Sequence, residues 1–488
     1  METDRVSTPQ ARCLAAMAAC DITPPVGIYH RMWGAASHDK ATGVHRPLEA
    51  HMLWIEPLPG DPENARVIAS LDHCILDGRE LKAIREGIGT ATGIHPDQVL
   101  VTLTHTHGSG WMSRDRSHLP GGDLIGPYLD NLVPTLARLA CLAKSQAEPS
   151  TLVYGLGRCD MAAQRDYLDP ASHLHVCGFN PDGQADETLV VAQVVADSGK
   201  SLGTLVNYAC HPTTLAWDNT LISPDWVGAM RETIRARHPG PCVFLQGASG
   251  DLGPRDGFVG DTAVADRNGR LLGYAALGEL ESLPQPGTVF CYAGGVTSGT
   301  VIGTWKHVPV PKKERDSHEA WSWKKVTVDL PYRPDLPTLE GTQMERAEWL
   351  AKETKARAEG NETLARDCRA KVEQCTRQIT RLNCLVAGTH YPLEVHLGIC
   401  GTSLWVFTPG ELYQVFQQSL RSRFPRLPMF ITTLTNDWQP GYIPPKDTYG
   451  KGIYQEVIAA TAPGCLEKLM DQVGNALEQL SAQTLQLV

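Results

Sequence analysis

The 488-residue sequence lacks a stretch that could cross a bilayer. Its longest apolar runs, such as LVPTLARLACLA, are broken by charge within about a dozen residues, whereas a spanning helix needs about twenty. It also lacks an excess of basic charge. Lys and Arg number 44 against 54 Asp and Glu, a formal net charge of −10, which excludes a nucleic-acid or anionic-membrane binder that works through bulk charge. Among 14 cysteines there is no CxxC pair, and their scatter argues against a disulfide framework. The apolar segment LAAMAAC (14–20) follows acidic residues, is short, and runs into DITPP. It therefore reads as a first buried strand rather than the core of a secretory signal. Together these absences predict reduced, mostly buried thiols and a cytoplasmic protein. What is present is a 42% hydrophobic, 20% charged composition, enough apolar surface for a large core.

The length suits about three domains, or one large α/β domain with insertions. Up to about residue 300, β-rich runs at 51–57, 66–75, 98–104, 151–156, 188–195, 202–208 and 241–246 alternate with amphipathic stretches at 79–90, 124–143, 226–237 and 262–280. Such alternation predicts an α/β fold, a mixed β-sheet core with covering helices. Residues 305–340 are Pro-rich, basic and Trp-bearing, and read as a long loop or surface arm. Residues 342–384 are rich in Ala, Glu, Lys and Arg with a Gly-Asn break at 360–361, which predicts a helical hairpin whose charge forms a solvated face. β-rich runs return at 391–397, 403–408 and 429–434, and a long helix is predicted over 453–482. The expectation is one domain over 1–488, with the loop and hairpin at 305–390 inserted in it.

The polar residues that carry chemistry fall at the ends of apolar runs. VLVTL (99–103) ends in His105 and His107; GTLVNYAC (203–210) runs into His211; CVFLQG (242–247) runs into ASGDLGP; LWVFTPG (404–410) runs into Glu411; MFITTLTND (429–437) leads to Tyr442. Ligands of open α/β sheets bind outside the carboxyl ends of strands, so these loops point to one shared site. Two His and a carboxylate form a familiar catalytic zinc set. In an extended strand, the two His of HxH face the same side. The residues alone leave other readings open. A buried His can be satisfied by backbone, Glu411 can be a first-turn helix residue, and Tyr442 can be core with its hydroxyl at the surface.

Seven stretches together resemble the catalytic, N-terminal domain of the neutral/alkaline non-lysosomal ceramidases: AACDITPPVG, THTHGSG, LGTLVNYACHPTTL, ISPDWVG, LQGASGDLGP, TPGELY and GYIPPKDTYGKGIYQE. They occur in the family's order and span nearly the whole chain apart from 305–385. The resemblance implies a ceramidase-like catalytic domain and a zinc amidase. It implies Zn2+ ligands at His105, His211, Glu411 and Tyr442, with His107 facing the reacting carbonyl. Arg165 lies near a family arginine of the site, and Asp251 and Asp225 are candidates for orienting a ligand histidine. The family's catalytic serine position reads Gly253 here, in GDLGP, so either Ser249 or a backbone N–H stands in, or no side chain is used. The expectation is a protein without the family's export signal and C-terminal β-sandwich.

The expected function is zinc-dependent hydrolysis of an amide bond in a small-molecule N-acyl substrate by a metal-activated water. The alternatives are a zinc esterase or deacetylase acting on a small or sugar substrate, and a non-catalytic metal-binding relic. A homo-oligomer is a further expectation, with the arm at 305–325 reaching a neighbour.

Overall fold

The computed structural model describes residues 4–485. Eight strands form the first sheet: β1 (Gln10–Asp21), β2 (Glu49–Glu56), β3 (Arg66–Leu71), β4 (Val99–Leu103), β5 (Glu148–Arg158), β6 (Thr188–Ala196), β7 (Ser201–Tyr208) and β8 (Cys242–Gln246). They lie in the order β8-β7-β6-β5-β1-β2-β3-β4. The segment 14–20 is part of β1, as its apolar composition predicts. Side chains alternate between two cores. Ala50, Met52 and Trp54 of β2 face one side, while Leu53 and Ile55 face the other, the period-2 rule of a sheet covered on both faces. The first side is covered by α1 (Gly78–Thr92) and α2 (Ile125–Ser145) under β1–β4, and by α3 (Trp226–Arg235) and α4 (Thr262–Ser282) under β6–β8.

The second side meets another sheet. Strands β9 (Trp321–Pro331), β10 (His390–Cys400), β11 (Ser403–Phe407) and β12 (Met429–Thr432) pair in that order. Trp405, Phe407 and Phe430 pack against Leu53, Leu100, Leu152 and Val243 of the first sheet. Between β9 and β10 stand α5 (Leu339–Ala358) and α6 (Glu362–Cys384), joined at Gly360 and capped by Asn361, whose side chain accepts from Leu364 N. The outer face of the second sheet is covered by α7 (Gln414–Arg423) and α8 (Cys465–Leu485). The architecture is a mixed α/β sandwich of helices, sheet, sheet and helices.

Two expectations differ from this. The segment 305–340 is not a loop. It contains the strand Thr300–Pro309, which closes a hairpin with Thr288–Ser298, a short helix Lys312–His318, and β9. Beyond its base at Val289 the hairpin is mostly exposed on both faces, so its sequence shows no apolar alternation. The closing helix is split into Tyr454–Ile458 and α8 by Pro463 and Gly464 (φ 92°), since proline has no N–H to continue a helix. Among the described residues, no helix is long and apolar enough to cross a membrane.

Within these two sheets, three strand pairs are parallel: β3 with β4, β7 with β8, and β11 with β12. Each is joined by one helix (α1, α3, α7), so each pair sends two carboxyl ends the same way. The loops that follow these ends are the ones that carry the site.

Candidate metal centre

β4 is fully buried, and its regular backbone stops at Leu103. Thr104 N bonds Leu71 O and Thr104 Oγ1 donates to Asp72 Oδ1 at 3.0 Å. His105 then turns left-handed (φ 67°) with its N–H on His73 O. THTH is therefore not the extended strand that the HxH argument assumes. The strained residue leaves the sheet, and His107 opens a 3₁₀ turn, His107–Ser109. The two rings still lie together, 5.1 Å between centroids.

The ring orientations follow from backbone carbonyls. His105 Nδ1 donates to Cys74 O at 2.9 Å, and His211 Nδ1 donates to Ser249 O at 2.7 Å. A carbonyl can only accept, so each Nδ1 carries the hydrogen and each Nε2 presents a lone pair. Those two Nε2 atoms are 3.2 Å apart, and Glu411 Oε2 is 3.2 Å from each. Tyr442 Oη is 3.3 Å from His211 Nε2. Tetrahedral bonds of about 2.0–2.1 Å set ligand atoms about 3.3 Å apart, so this donor set fits a single divalent cation. Electrostatics agree. Burial works against a carboxylate at Glu411, yet the two imidazoles hold its pKa well below the usual range. Burial also opposes charge on His105, but Cys74 and Glu411 raise it well above its ordinary value. Both directions favour positive charge among these atoms, which suits a cation site.

His107 differs. Both of its ring nitrogens are buried without a hydrogen-bond partner, and burial, then the neighbouring His105 and His211, push its pKa well below its ordinary value. Its ring packs against Trp33, 5.0 Å between centroids.

Arg165 is brought into the site. It is 3% exposed and donates to Tyr442 Oη at 3.0 Å and Gly250 O at 2.7 Å. Asp251 is not against a cluster histidine. Its carboxylate accepts from Gln414 N (2.8 Å) and Gln414 Nε2 (2.9 Å), fastening the start of α7 just beyond Glu411. Asp225 accepts from Leu215 N and Trp226 N. Ser249 Oγ lies 3.2 Å from His211 Nδ1, behind the ring rather than on the face where Nε2 converges. Gly253 is buried in the short strand Leu252–Pro254, and a Cβ there would meet nothing nearer than Arg165 Cδ and Thr213 Oγ1 at 3.8 Å.

The sequence reading missed the residues that close the site. A cavity of about 50 Å³ reaches His105, His107, Glu411 and Tyr442 and is also lined by Arg377 and Arg381 of α6. Residues 373, 377 and 381 recur at i, i+4 and i+8, so they share one helix face. That spacing was the available signal. The hairpin's charge is thus not wholly a solvated face, because Glu373 and Arg381 are buried.

No family model matches the sequence. Among solved structures the chain is similar to neutral ceramidase from Pseudomonas aeruginosa, with a TM-score of 0.66 and 15% identity over 99% of this chain and 75% of that one. It is similar also to a ceramidase complexed with C2, with a TM-score of 0.65 and 15% identity over 98% of this chain and 75% of that one. The chain therefore has a ceramidase-like α/β fold through nearly its whole described length.

Proposed function

We propose that this protein is a zinc-dependent hydrolase that cleaves the amide bond of a small N-acyl substrate. The observation that carries the reading is the mutual 3.2 Å approach of His105 Nε2, His211 Nε2 and Glu411 Oε2. Tyr442 is the proposed fourth protein ligand. A divalent ion there supplies Lewis-acid polarisation and lowers the pKa of water to about 7.

The chain's own groups account for the rest. Cys74 O and Ser249 O fix the two ligand imidazoles in the Nε2-presenting tautomer. Arg165 holds the Tyr442 hydroxyl in place. His107 is neutral, and a free N–H on its ring stabilises charge developing on the carbonyl oxygen. The proton that the attacking water gives up is the one the leaving nitrogen gains, so the cleavage needs no net proton donor. Gly253 offers no hydroxyl, so the reading is direct hydrolysis without an acyl-enzyme on that residue. The inner cavity of about 50 Å³ favours a compact group at the reacting centre.

The test uses matched amide and ester substrates with zinc-loaded enzyme. Amide turnover that is lost on chelation and restored by zinc supports the proposal. Ester turnover with inert amides would move the assignment to an esterase. Binding of zinc with no turnover of either would favour a metal-binding relic.

A further inference from the structure

The chemistry above leaves the inserted hairpin unused. Its second helix, α6, is fastened over the site. Arg116 pairs with Glu373 at 2.7 Å, both nearly fully buried. Ala370 packs so closely on Gly34 that a Cβ there would lie 3.1 Å from the Ala370 Cα. Between α6 and the helix Tyr454–Ile458 lies an outer cavity of about 480 Å³. Arg377, Arg381, Tyr454 and Ile458 line both this cavity and the inner one that reaches His107 and Glu411. The route from the outer cavity to the metal ligands therefore passes two arginines.

The two are not equivalent. Arg377 is satisfied, since its Nε donates to Glu373 Oε1 and its guanidinium reaches Met32 O. Arg381 is 7% exposed. Among the described residues, no carboxylate lies within ion-pair distance of it, its side chain bonds only the neutral Gln378 amide, and its Nε has no partner. It lies over the Trp438 ring, and its Nε comes within 3.5 Å of the Cβ position of Gly441, the residue before Tyr442. A buried guanidinium without a counter-ion is costly, and its planar fork matches a carboxylate.

We propose that Arg381 is the specificity-determining residue for a carboxylate that the substrate carries a few bonds from its scissile amide, so that the preferred substrates are acidic N-acyl compounds of the N-acyl amino acid class. This rests on the amide-hydrolase reading. It makes the inserted hairpin a built part of the substrate site, and it disfavours neutral long-chain amides.

The experiment compares N-acetyl amino acids with their carboxamides, by kcat/KM and by thermal shift or calorimetry on zinc-loaded protein. The parent is expected to prefer the carboxylates at least tenfold in both readouts. Arg381→Gln is expected to abolish that preference, and Arg381→Lys to keep part of it. Equal handling of acids and carboxamides by the parent overturns the proposal while leaving the amidase intact. A preference unchanged in Arg381→Gln also overturns it. Carboxylate-selective binding that depends on Arg381, without turnover of any probe, upholds the proposal and counts against the amidase. If Arg381→Gln does not fold, the parent's own preference and the lysine variant decide.

Discussion

His105 Nε2 and His211 Nε2 lie 3.2 Å apart although 106 residues separate them in the chain. Neither ring is free to turn, because a backbone carbonyl receives each Nδ1 hydrogen. The two Nε2 atoms are within hydrogen-bond reach of each other and have Glu411 Oε2 at the same distance from both, a spacing that also fits ligands around a common ion.

Ser249 stands behind His211, not in front of it. Ser249→Ala removes the Oγ at 3.2 Å from Nδ1 but keeps the carbonyl at 2.7 Å. Loss of an outer partner typically costs 10–100-fold in metal affinity. With the carbonyl retained, zinc affinity measured by chelator competition is expected to fall by about tenfold or less. A loss of several orders of magnitude would put the hydroxyl, not the carbonyl, in control of the ring.

Gly253→Ser adds a side chain where a Cβ meets nothing closer than 3.8 Å. Unfolding in urea is expected to shift by no more than about 1 kcal/mol. Destabilisation above roughly 3 kcal/mol would mean that the position does not accept a side chain.

Tyr442→Phe leaves the buried Arg165 N–H without the oxygen it meets at 3.0 Å. A stability loss of about 1–3 kcal/mol is expected in the metal-free protein. Arg165→Met and the double variant close a cycle whose coupling should be non-zero. Additive effects would show that the two side chains act independently.

Asp437 lies in the loop after β12, and burial, then Asp77, raise its pKa from 3.8 to about 6. Its folded value is above its unfolded value, so it binds protons preferentially in the folded state between those values. The stability it supports is fully present below about pH 4 and is lost as pH rises through about 6. Asp437→Asn keeps an Oδ1 to accept from Trp438 N and Gln439 N. The Tm advantage of the variant over the parent should be near zero at pH 4 and should grow to pH 7. A difference that is flat with pH would contradict the assignment.

Much of the site was legible because its residues end buried apolar runs. VLVTL before His105 and LWVFTPG before Glu411 announce strands whose exits must hold polar groups in loops. The pairing of two sheets face to face was not legible, because Leu53 and Trp405 show only that both are buried, not what against. The inward turn of α6 was hidden by composition: Arg381 reads as solvated when Trp438 and Gly441, which it meets, lie more than fifty residues later. The sequence makes Asp251 a candidate for orienting a ligand histidine; its actual partner, Gln414, is not legible there, since only the fold places α7 beside it.

Metal content of the purified protein tests the central claim most directly. Elemental measurement should find about one zinc per chain, retained through gel filtration and lost in His105→Ala and in His211→Ala with the fold intact by circular dichroism. A parent protein that binds no divalent ion tightly after equilibration with zinc, or variants that hold it as well as the parent, would contradict the account.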